Sequence, residues 1–526
     1  MKNILPLLIV LSVSLTGFSQ EAKYKFDFEP ESVNRIKDVV ELSSCTGIID
    51  TIRPAFAKGI NGYALNLSED VSLRAPLKIN INEISQYSSA NSFAFQVWVR
   101  TKKDAIMGTP IAGNYNLDDI EEGGWLIETH ENGAWSIIIN DGKTIYEYKP
   151  TIKQKINDGK WHQIAFSMDN KNEDVWMYLD GKNVAIYNIE NLRSLENDFP
   201  TIVGGSNQSW NSIGRLESFN GYIDEVKIWD TAISYKKVRE LYSAYKHLDD
   251  LPVANNEIKV LEWNIWHGGR RYGKNVGVAR VIDIIKTSDA DIIALIETYG
   301  SGEEIADSLG YHFYLISSNL SIMSRYPIKE TIKAFRRFNF GGVKLDLGNG
   351  KELVLLDTWL HYLPDYTSDI DNGKKSSKQL IKKEGKTRHK EVKKILKAMN
   401  TYIANSDNTP VIMLGDFNVG SHLDWTEQTK EIHKGYVVQW PVSKEMEKYG
   451  FIDSYREINT NPLTHPGITW SPQMNMDINK STKDRIDFIY YKGRDIKAIS
   501  SRIIDTYRLA FPSDHAAMET VFKLKN

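Results

Sequence analysis

The pattern of apolar and polar positions changes character near residue 250. Before that point the two kinds of residue alternate over short runs, as in SFAFQVWVR (92–100), where every second residue from Phe93 to Val99 lies on one face. The same alternation is found in WHQIAFSMD (161–169), VWMYLDGKNVAIY (175–187) and GYIDEVKIWD (221–230). Asp180-Gly181 separates two alternating runs and indicates a hairpin. Many short strands joined by turns predict an all-β sandwich.

After residue 257 the apolar runs become continuous and are separated by segments with helical spacing. Buried strands are predicted in IKVLEWNIW (258–266), ADIIALIET (290–298), LSIMSRYPI (320–328), ELVLLDTWLHY (352–362) and PVIMLGDFNVG (410–420). Helices are predicted in VGVARVIDIIKTS (276–288) and in the basic stretch RHKEVKKILKAMNTYIA (388–404). Continuous strands between helices indicate a sheet that is covered on both faces, and therefore a layered α/β domain.

The length of 526 residues favours two domains, because one hydrophobic core rarely grows that large. We predict a β-sandwich at 23–246, a linker at 247–256 (HLDDLPVANN) and an α/β domain at 257–526. Residues 1–19 combine Lys2, an apolar run and small polar residues, which is typical of a signal peptide and predicts a secreted or periplasmic protein. No later run reaches about 18 apolar residues, so we expect no transmembrane segment.

Cysteine content and charge add two constraints. Cys45 is the only cysteine, so an internal disulfide is impossible and both domains must be stabilised by burial. From Glu257 onward there are 39 Lys and Arg against 34 Asp and Glu, a balance of +5, while the rest of the chain balances at −8. An anionic partner is therefore expected to meet the C-terminal half.

Polar residues gather at the ends of the predicted C-terminal strands. The strand from Val411 to Leu414 ends in Asp416 and Asn418, and a buried carboxylate there is costly unless it meets a cation or a reacting group. Other strand ends carry Asn264, Glu297, His361, Asp487, Asp514 and His515. Histidines, carboxylates and amides of this kind are what metal-assisted attack on a phosphate requires, and hard oxygen ligands suit Mg²⁺ or Mn²⁺.

In chain order, the motifs WNIW, LIET, SRYPI, TWLHY, GDFN, RIDFIYY and SDH resemble those of the endonuclease/exonuclease/phosphatase (DNase I-like) superfamily. The resemblance implies a four-layer sandwich, with two sheets between helices and the site at one end. It also implies roles for individual residues. The metal ligands would be Asn264, Glu297 and Asp514, and the catalytic residues would be His361, Asp416, Asn418, Asp487 and His515. His515, oriented by Asp487, would orient or deprotonate the attacking water.

The N-terminal phrases DGKWHQIAFSMD, WMYLDGK and GYIDEVKIWDTAIS resemble the laminin-G-like, concanavalin A-like jelly-roll family. The resemblance implies binding of a carbohydrate or a cell-surface ligand, and it leaves a Ca²⁺ site in this domain open. Trp161, Trp176 and Trp229 occupy alternating strand positions, which favours core packing over sugar platforms.

The residues around the predicted site leave several questions open. Arg270 and Arg271 follow WNIW and would either contact the substrate phosphate or lie in a solvated loop, and Arg325 in SRYPI is a third candidate substrate-binding residue. Glu330 and Asp357 are candidate acidic partners of His361. Residues 374–394 hold ten Lys or Arg against two Glu, which suggests either a flexible arm that grips a polyanion or an ordinary solvated insertion.

Three functions are weighed. The first is an exported, divalent-metal-dependent phosphodiesterase, in particular a nuclease, in which water attacks phosphorus directly. The second keeps the enzyme and changes the substrate to a phospholipid, sphingomyelin, or a phosphorylated sugar or inositol. The third is a non-catalytic adhesion protein, which the intact motifs disfavour. The protein is expected to be a monomer.

Overall fold

The computed structural model describes residues 21–29, 40–42, 55–68, 77–79, 91–105, 108–116, 121–205, 219–471 and 482–525. The predicted signal peptide at 1–19 and Cys45 lie outside the described residues, so the predictions made for them stand as predictions. Among the helices in these ranges, none combines the length and the apolarity needed to cross a bilayer.

The N-terminal region is a sandwich of antiparallel strands. Its strands are β1 Tyr24–Phe26, β2 Val40–Leu42, β3 Ala55–Lys58, β4 Tyr63–Asn66, β5 Leu77–Ile79, β6 Phe93–Thr101, β7 Pro110–Gly113, β8 Gly124–Thr129, β9 Trp135–Asn140, β10 Ile145–Tyr148, β11 His162–Asp169, β12 Asp174–Leu179, β13 Lys182–Asn188, β14 Thr201–Val203 and β15 Gly221–Trp229. One sheet has the order β10-β9-β8-β7-β14-β5-β2. The other contains β13-β12-β11-β6-β15-β4-β3, with β1 added to β15. This is the all-β sandwich that the alternation predicted.

The alternating strand β6 is buried on both faces. The face carrying Phe95 packs into the sandwich core, where its ring lies 4.8 Å from that of Trp125. The opposite face carries Trp98, whose ring stacks on Tyr242 of helix α1 (Tyr235–Ser243) at 5.4 Å. The helix therefore closes the outer face of the sheet, which explains why polar positions are scarce in this strand.

The C-terminal region alternates strands with helices. Its strands are β16 Glu257–Asn264, β17 Ile292–Ile296, β18 His312–Leu315, β19 Leu320–Ser324, β20 Ile328–Ile332, β21 Phe340–Gly348, β22 Lys351–Trp359, β23 Val411–Asp416, β24 Ile452–Asp453, β25 Asp487–Lys492, β26 Ile496–Ile504 and β27 Ala517–Leu524. Its helices are α2 Trp266–Gly269, α3 Lys274–Ser288, α4 Gly302–Leu309, α5 Tyr366–Asp371, α6 Ser377–Glu384, α7 Arg388–Ala398, α8 Asn400–Ala404, α9 Pro441–Lys448 and α10 Ser454–Ile458.

These strands form two packed sheets with helices on the outside. One sheet runs β26-β27-β16-β17-β19-β18 and the other runs β20-β21-β22-β23-β25-β24. Apolar residues from both sheets, such as Val260 and Leu414, form the core between them. The outer face of the first sheet packs on α3 and α4, and that of the second packs on α5, α7 and α9. The arrangement is the predicted four-layer α/β/β/α sandwich.

The two regions share a continuous sheet. Strand β13 of the N-terminal sandwich pairs in parallel with β18, with Ile186 opposite Tyr314, and the described residues give the joined sheet 14 strands. Side chains cross the same junction, because the Tyr187 hydroxyl donates to Glu303 at 2.7 Å and Gln154 donates to Asp307 at 2.8 Å. The sandwich core is also continuous with apolar residues of α3 and α4.

The basic stretch at 374–394 is ordered secondary structure and not a flexible arm. It contains all of α6, which begins with a capping box formed by Ser376 and Gln379, and the start of α7. Leu380 and Glu384 are buried, so α6 is anchored to the domain, while Lys378, Gln379 and Lys382 are exposed.

Candidate active site

The polar strand ends meet on the inner side of the two sheets. Residues two positions apart on a strand share a face. On β16, β23 and β25, the apolar residues that share a face with Asn264, Asp416 and Asp487 belong to the core between the sheets. Because side chains alternate along a strand, these three side chains point into the same space. The register places Asp416 directly opposite Asp487, and Trp359 beside Asp416. Residues distant in sequence thus form one site at the sandwich end.

His515 and Asp487 form a buried hydrogen-bonded pair. The His515 Nδ1 atom lies 2.9 Å from Asp487 Oδ2. The backbone N–H of His515 donates to Ser513 Oγ, and its carbonyl accepts from Trp263 Nε1. Burial alone lowers the pKa of the imidazole, but Asp487, with Asp514 and Asp416 nearby, raises it to about 10. The pair therefore stabilises the protonated imidazole and leaves Nε2 for a substrate or a water.

Asn264 connects the two halves of the site. Its Nδ2 atom donates both to Glu297 Oε1 and to Asp416 Oδ2, each at 3.3 Å. Its Oδ1 atom accepts from Trp266 N at 3.0 Å, so this amide acts here as a donor between two carboxylates. Glu297 has a φ of +57° just past the end of β17, and its backbone N–H donates to Asn319 Oδ1. This turn directs the carboxylate toward Asn264.

The Asp416 carboxylate is held on both of its oxygens. Oδ1 accepts from Asn418 N at 2.8 Å, and Asn418 in turn donates from Nδ2 to Leu360 O. Burial and the charge of Asp487 raise the pKa of Asp416 to about 8. Burial also raises the pKa of Asp514, together with the charge of Glu297. The site thus concentrates more negative charge than its one buried imidazole neutralises.

The residues present fit a divalent cation. Asp487 Oδ1 and Asp514 Oδ1 are buried without a hydrogen-bond partner within the described chain. Ligand atoms of Asp416, Asp487 and His515 lie within 4.8 Å of one another. Oxygen-rich, unneutralised carboxylates of this kind suit Mg²⁺ or Mn²⁺. The described residues of the sandwich domain contain no comparable group of His, Cys, Asp and Glu, so the Ca²⁺ prediction there gains no support.

Glu262 is a buried acid that the motif analysis missed. It lies two residues before Asn264 on β16, is fully buried, and neither of its carboxyl oxygens accepts a hydrogen bond from a described residue. Burial and the charges of Asp487, Asp416 and Asp357 raise its pKa well above the ordinary value. The signal was present in the sequence, since an acid two positions from a predicted ligand in an apolar strand shares its face.

His361 follows β22 and is held through its backbone. Its N–H donates to Glu391 Oε2 at 3.0 Å, and its carbonyl accepts from the buried guanidinium of Arg388. The Nδ1 atom accepts from Leu363 N at 3.0 Å. Neither candidate acidic partner contacts this imidazole. Glu330 accepts from Tyr402 and pairs with Lys344, and Asp357 is buried between the sheets near Glu262.

The three predicted substrate-binding arginines have different positions. Arg270 donates to Gly300 O, three residues beyond Glu297, and Arg271 lies between the rings of Trp266 and Tyr272. Both therefore lie at the rim near Glu297.

Arg325 lies elsewhere, which corrects its assignment as a substrate-binding residue. It pairs with Asp289 and Asp291, just before β17 begins, whereas Glu297 follows the end of the same strand. It therefore braces the opposite end of the sheet.

The tryptophans of the sandwich behave as predicted. Trp161 and Trp229 are buried, and Trp176 is half-buried against core residues.

Comparison with known protein families agrees with the two-domain fold. The model of the Endonuclease/Exonuclease/phosphatase family matches residues 261–515, and that of the Concanavalin A-like lectin/glucanases superfamily matches residues 78–239. "Uncharacterized protein F14F9.5" of Caenorhabditis elegans is 33% identical over 258 residues, or 45% of this chain and 80% of that protein. Non-toxic nonhemagglutinin type C of Clostridium botulinum C phage is 25% identical over 234 residues, 44% of this chain and 17% of that protein.

Among solved structures, truncated TDP2 of Caenorhabditis elegans has a TM-score of 0.35 at 17% identity, covering 51% of this chain and 97% of that one. An AP endonuclease from Archaeoglobus fulgidus has a TM-score of 0.36 at 16% identity, covering 51% and 100%. The fold and the family matches together define a phosphoric-ester hydrolase domain joined to a concanavalin A-like β-sandwich. The chain belongs to the endonuclease/exonuclease/phosphatase family.

Proposed function

We propose that this protein is a divalent-metal-dependent phosphodiesterase of the nuclease type. The observation that carries the proposal is the convergence of the His515–Asp487 pair with Asp416, Asn264 and Glu297 at one end of the sandwich. A phosphodiester is anionic and repels hydroxide, so hydrolysis needs a cation, an oriented water and a base.

Glu297 and Asp514 would hold the metal, with Asp416 and Asp487 beside them. Asn264 would add its Oδ1 atom, which also accepts from Trp266 N. A bound Mg²⁺ or Mn²⁺ supplies positive charge for a phosphate oxygen and for the charge that develops in the transition state. His515 Nε2 exchanges a proton with the attacking water, and Asp487 keeps the proton on Nδ1 and stabilises the imidazolium. The Asn418 side chain and His361 line the approach of the phosphate and the leaving group.

We infer that the β-sandwich docks the enzyme on a carbohydrate or another cell-surface ligand, and that residues 1–19 direct export. The lectin-like family match supports a binding role. A glycan array tests the ligand, and N-terminal sequencing of protein from the culture medium or the periplasm tests the removal of residues 1–19.

The enzymatic proposal is tested with purified protein, Mg²⁺ or Mn²⁺, and four substrates: plasmid DNA, RNA, sphingomyelin and an aryl phosphodiester. We expect hydrolysis of nucleic acid and of the aryl diester, with a loss of about 10²–10⁴-fold in His515→Ala, since this is the usual contribution of a side chain that is positioned to exchange a proton with the reacting groups. His465→Ala is the matched control, because His465 is exposed and lies outside the site.

Cleavage of sphingomyelin alone would favour the phospholipid alternative. Intact substrates in every reaction with the wild-type protein would contradict enzymatic function and favour an adhesion protein.

A further inference from the structure

A cavity of 620 Å³ opens beside His361. Its walls are α6, α7 and the segment that follows β20. We call it the basic groove, and its lining residues are Phe335, Arg336, His361, Leu363, Pro364, Asp365, Lys383, Lys386, Thr387, Lys390, Glu391 and Lys394. The groove borders the candidate active site, because Leu360, the residue before His361, accepts from Asn418 Nδ2 and donates to the Asp416 carbonyl. A chain bound in the groove would therefore continue to the phosphate under attack.

The charge of the groove is strongly positive. Five of its lining residues are Lys or Arg and two are acids. Both acids already accept a backbone hydrogen bond: Asp365 accepts from Ser368 N, and Glu391 accepts from His361 N. Lys383 pairs with Asp369. Within the described part of the chain, the other four cations have no salt bridge to a carboxylate, and all four are exposed: Arg336, Lys386, Lys390 and Lys394.

The helix geometry explains why these cations face the groove. Lys390 and Lys394 are four residues apart on α7, so they lie on one face about 6 Å apart along the axis. Val392 and Leu396 of the same helix are buried in the domain core. Lys386 precedes α7 and extends the same row toward α6. The result is a line of charges and not a single anion pocket.

Aromatic rings continue this line toward the site. Phe335 lies within the groove, with Arg336 at 5.8 Å and Lys394 at 6.0 Å from its centroid. Phe338 and Tyr362 are 42% and 55% exposed, so their rings are accessible to a ligand. Trp359 lies between them, with ring centroids 5.8 Å from Phe338 and 6.1 Å from Tyr362.

We propose that the basic groove and these rings bind the single-stranded nucleic acid that flanks the scissile phosphate. The inference rests on the proposed phosphodiesterase function and names its substrate class. Cations in a row follow a phosphate backbone, and exposed aromatic faces stack on unpaired bases. Duplex bases are already stacked on one another, so a duplex would use the cations and leave the rings without a partner.

Binding is measured first, in EDTA, so that cleavage does not interfere. The ligand is a fluorescein-labelled oligothymidylate of about 12 nucleotides, within the usual site size of single-strand binders. The test variant is Lys386→Gln/Lys390→Gln/Lys394→Gln. Its control, Lys378→Gln/Lys382→Gln/Lys393→Gln, makes the same charge change at exposed lysines of α6 and α7 outside the groove.

We expect the groove variant to bind about tenfold more weakly or worse, and the slope of log K against log salt to fall by about 2, since each lost phosphate contact removes about 0.7. The control should lose much less. Phe338→Ala should weaken oligothymidylate binding about fivefold or more through lost stacking, and should leave binding to duplex of equal charge nearly unchanged. Equal losses in both lysine variants would overturn the proposal.

Activity separates this inference from the proposed function. With Mg²⁺, the groove variant should keep the wild-type kcat/KM on bis(p-nitrophenyl) phosphate, which is too short to reach the groove, and should show a raised KM on the oligonucleotide. If the KM for the oligonucleotide is unchanged, the proposed role of the groove is wrong, while the proposed phosphodiesterase activity is unaffected. An inactive wild-type protein contradicts the function itself, and the binding result in EDTA still decides the groove. Stronger loss of binding to phosphatidylserine vesicles than to oligothymidylate would assign the groove to a membrane and overturn the inference.

Discussion

Asp416 lies buried beside Asp487, opposite it across the β23–β25 ladder, and the two carboxyls cannot both be ionised without cost. The pKa of Asp416 is therefore raised to about 8, so this carboxyl keeps its proton near neutral pH. Burial alone would lower the pKa of the His515 imidazole, but three nearby carboxylates outweigh this effect and raise it to about 10. At the residue scale, the site is therefore destabilised unless a proton or a cation neutralises it.

The substitution Asp416→Asn should stabilise the metal-free protein while it reduces activity. The amide keeps the oxygen that accepts from Asn418 N and removes a buried charge, and this gain outweighs the loss of the acceptor for Asn264 Nδ2. At pH 9, in EDTA, we expect Tm to rise by about 1 °C for each kcal/mol gained, since an unfolding entropy of about 2.1 cal/mol/K per residue is large for a cooperative unit of this size. Calorimetry with EDTA, together with the aryl diester assay in Mg²⁺, checks both effects. A lower Tm in the variant would show that Asp416 stabilises the metal-free site.

Stability without metal should fall as pH rises. His515 has a folded pKa of about 10 against an ordinary 6.5, so its contribution is fully present below pH 6.5 and is lost as pH rises through about 10. The raised pKa of Asp416 acts in the same direction between about 4 and 8. We expect thermal melts in EDTA to show declining Tm from pH 6.5 to 10.

Mg²⁺ should restore Tm most strongly at the alkaline end, because the cation replaces the protons that the site releases. The variant His515→Gln should have a shallower pH slope in EDTA. An identical slope in this variant would mean that other groups dominate the titration.

At the scale of secondary structure, the alternation of side chains along the strands and the position of helix α7 determine the geometry of the site. Alternation along β16, β23 and β25 explains why their terminal polar side chains share the inner face, and this could be read from the sequence. The position of His361 could not be read from the sequence, because it depends on Arg388. This cation is fully buried, although it lies in a basic stretch that the sequence suggested was solvated. Arg388 pairs with Glu384 and donates to the carbonyls of His361, Tyr362 and Pro364.

Arg388→Met should therefore lower both stability and turnover. Breaking a buried ion pair costs about 3–5 kcal/mol of unfolding free energy, because Glu384 is left without its cation. Since the His361 segment loses its anchor, kcat on the aryl diester should fall more than KM changes. Urea unfolding and steady-state kinetics measure the two effects.

Arg494→Met serves as the control for Arg388→Met, because Arg494 is exposed and should change stability by no more than about 0.5 kcal/mol. The double variant Arg388→Met/Glu384→Gln should recover part of the lost stability without recovering turnover. Full turnover in Arg388→Met would show that His361 does not need this anchor.

At the scale of the whole molecule, the joined sheet makes the two regions one structure. The pairing of β13 with β18 gives an otherwise open edge of the hydrolase sheet a partner strand. Several polar contacts add to it, among them Lys333 with Glu173 at 2.9 Å and His312 Nδ1 with the Asn183 carbonyl at 2.7 Å. His312 is fully buried there, and burial lowers its pKa to about 3, so the junction holds a neutral imidazole.

The hydrolase region should consequently be unable to fold well alone. A chain of residues 257–526 would expose the β18 edge and the apolar residues of α4 that the sandwich covers, so we expect aggregation or a much lower Tm. The full chain should unfold in a single calorimetric transition, and co-expression of residues 21–250 should restore solubility to the fragment. A monomeric 257–526 fragment with the Tm of the full chain would contradict this account.

The sequence alone determined the class of each domain and predicted most of the residues that meet in the candidate site, because strand alternation, helical spacing and ordered motifs are local features that survive any tertiary arrangement. Asp416, Asp487 and His515 could be named this way, as could Glu297 and Asn264. Tertiary structure alone decided the rest: the exclusion of Arg325, the buried Arg388, the row of lysines beside His361 and the junction of β13 with β18. These depend on which surfaces pack together over long sequence separations, and a linear pattern of hydrophobic and polar positions does not carry that information.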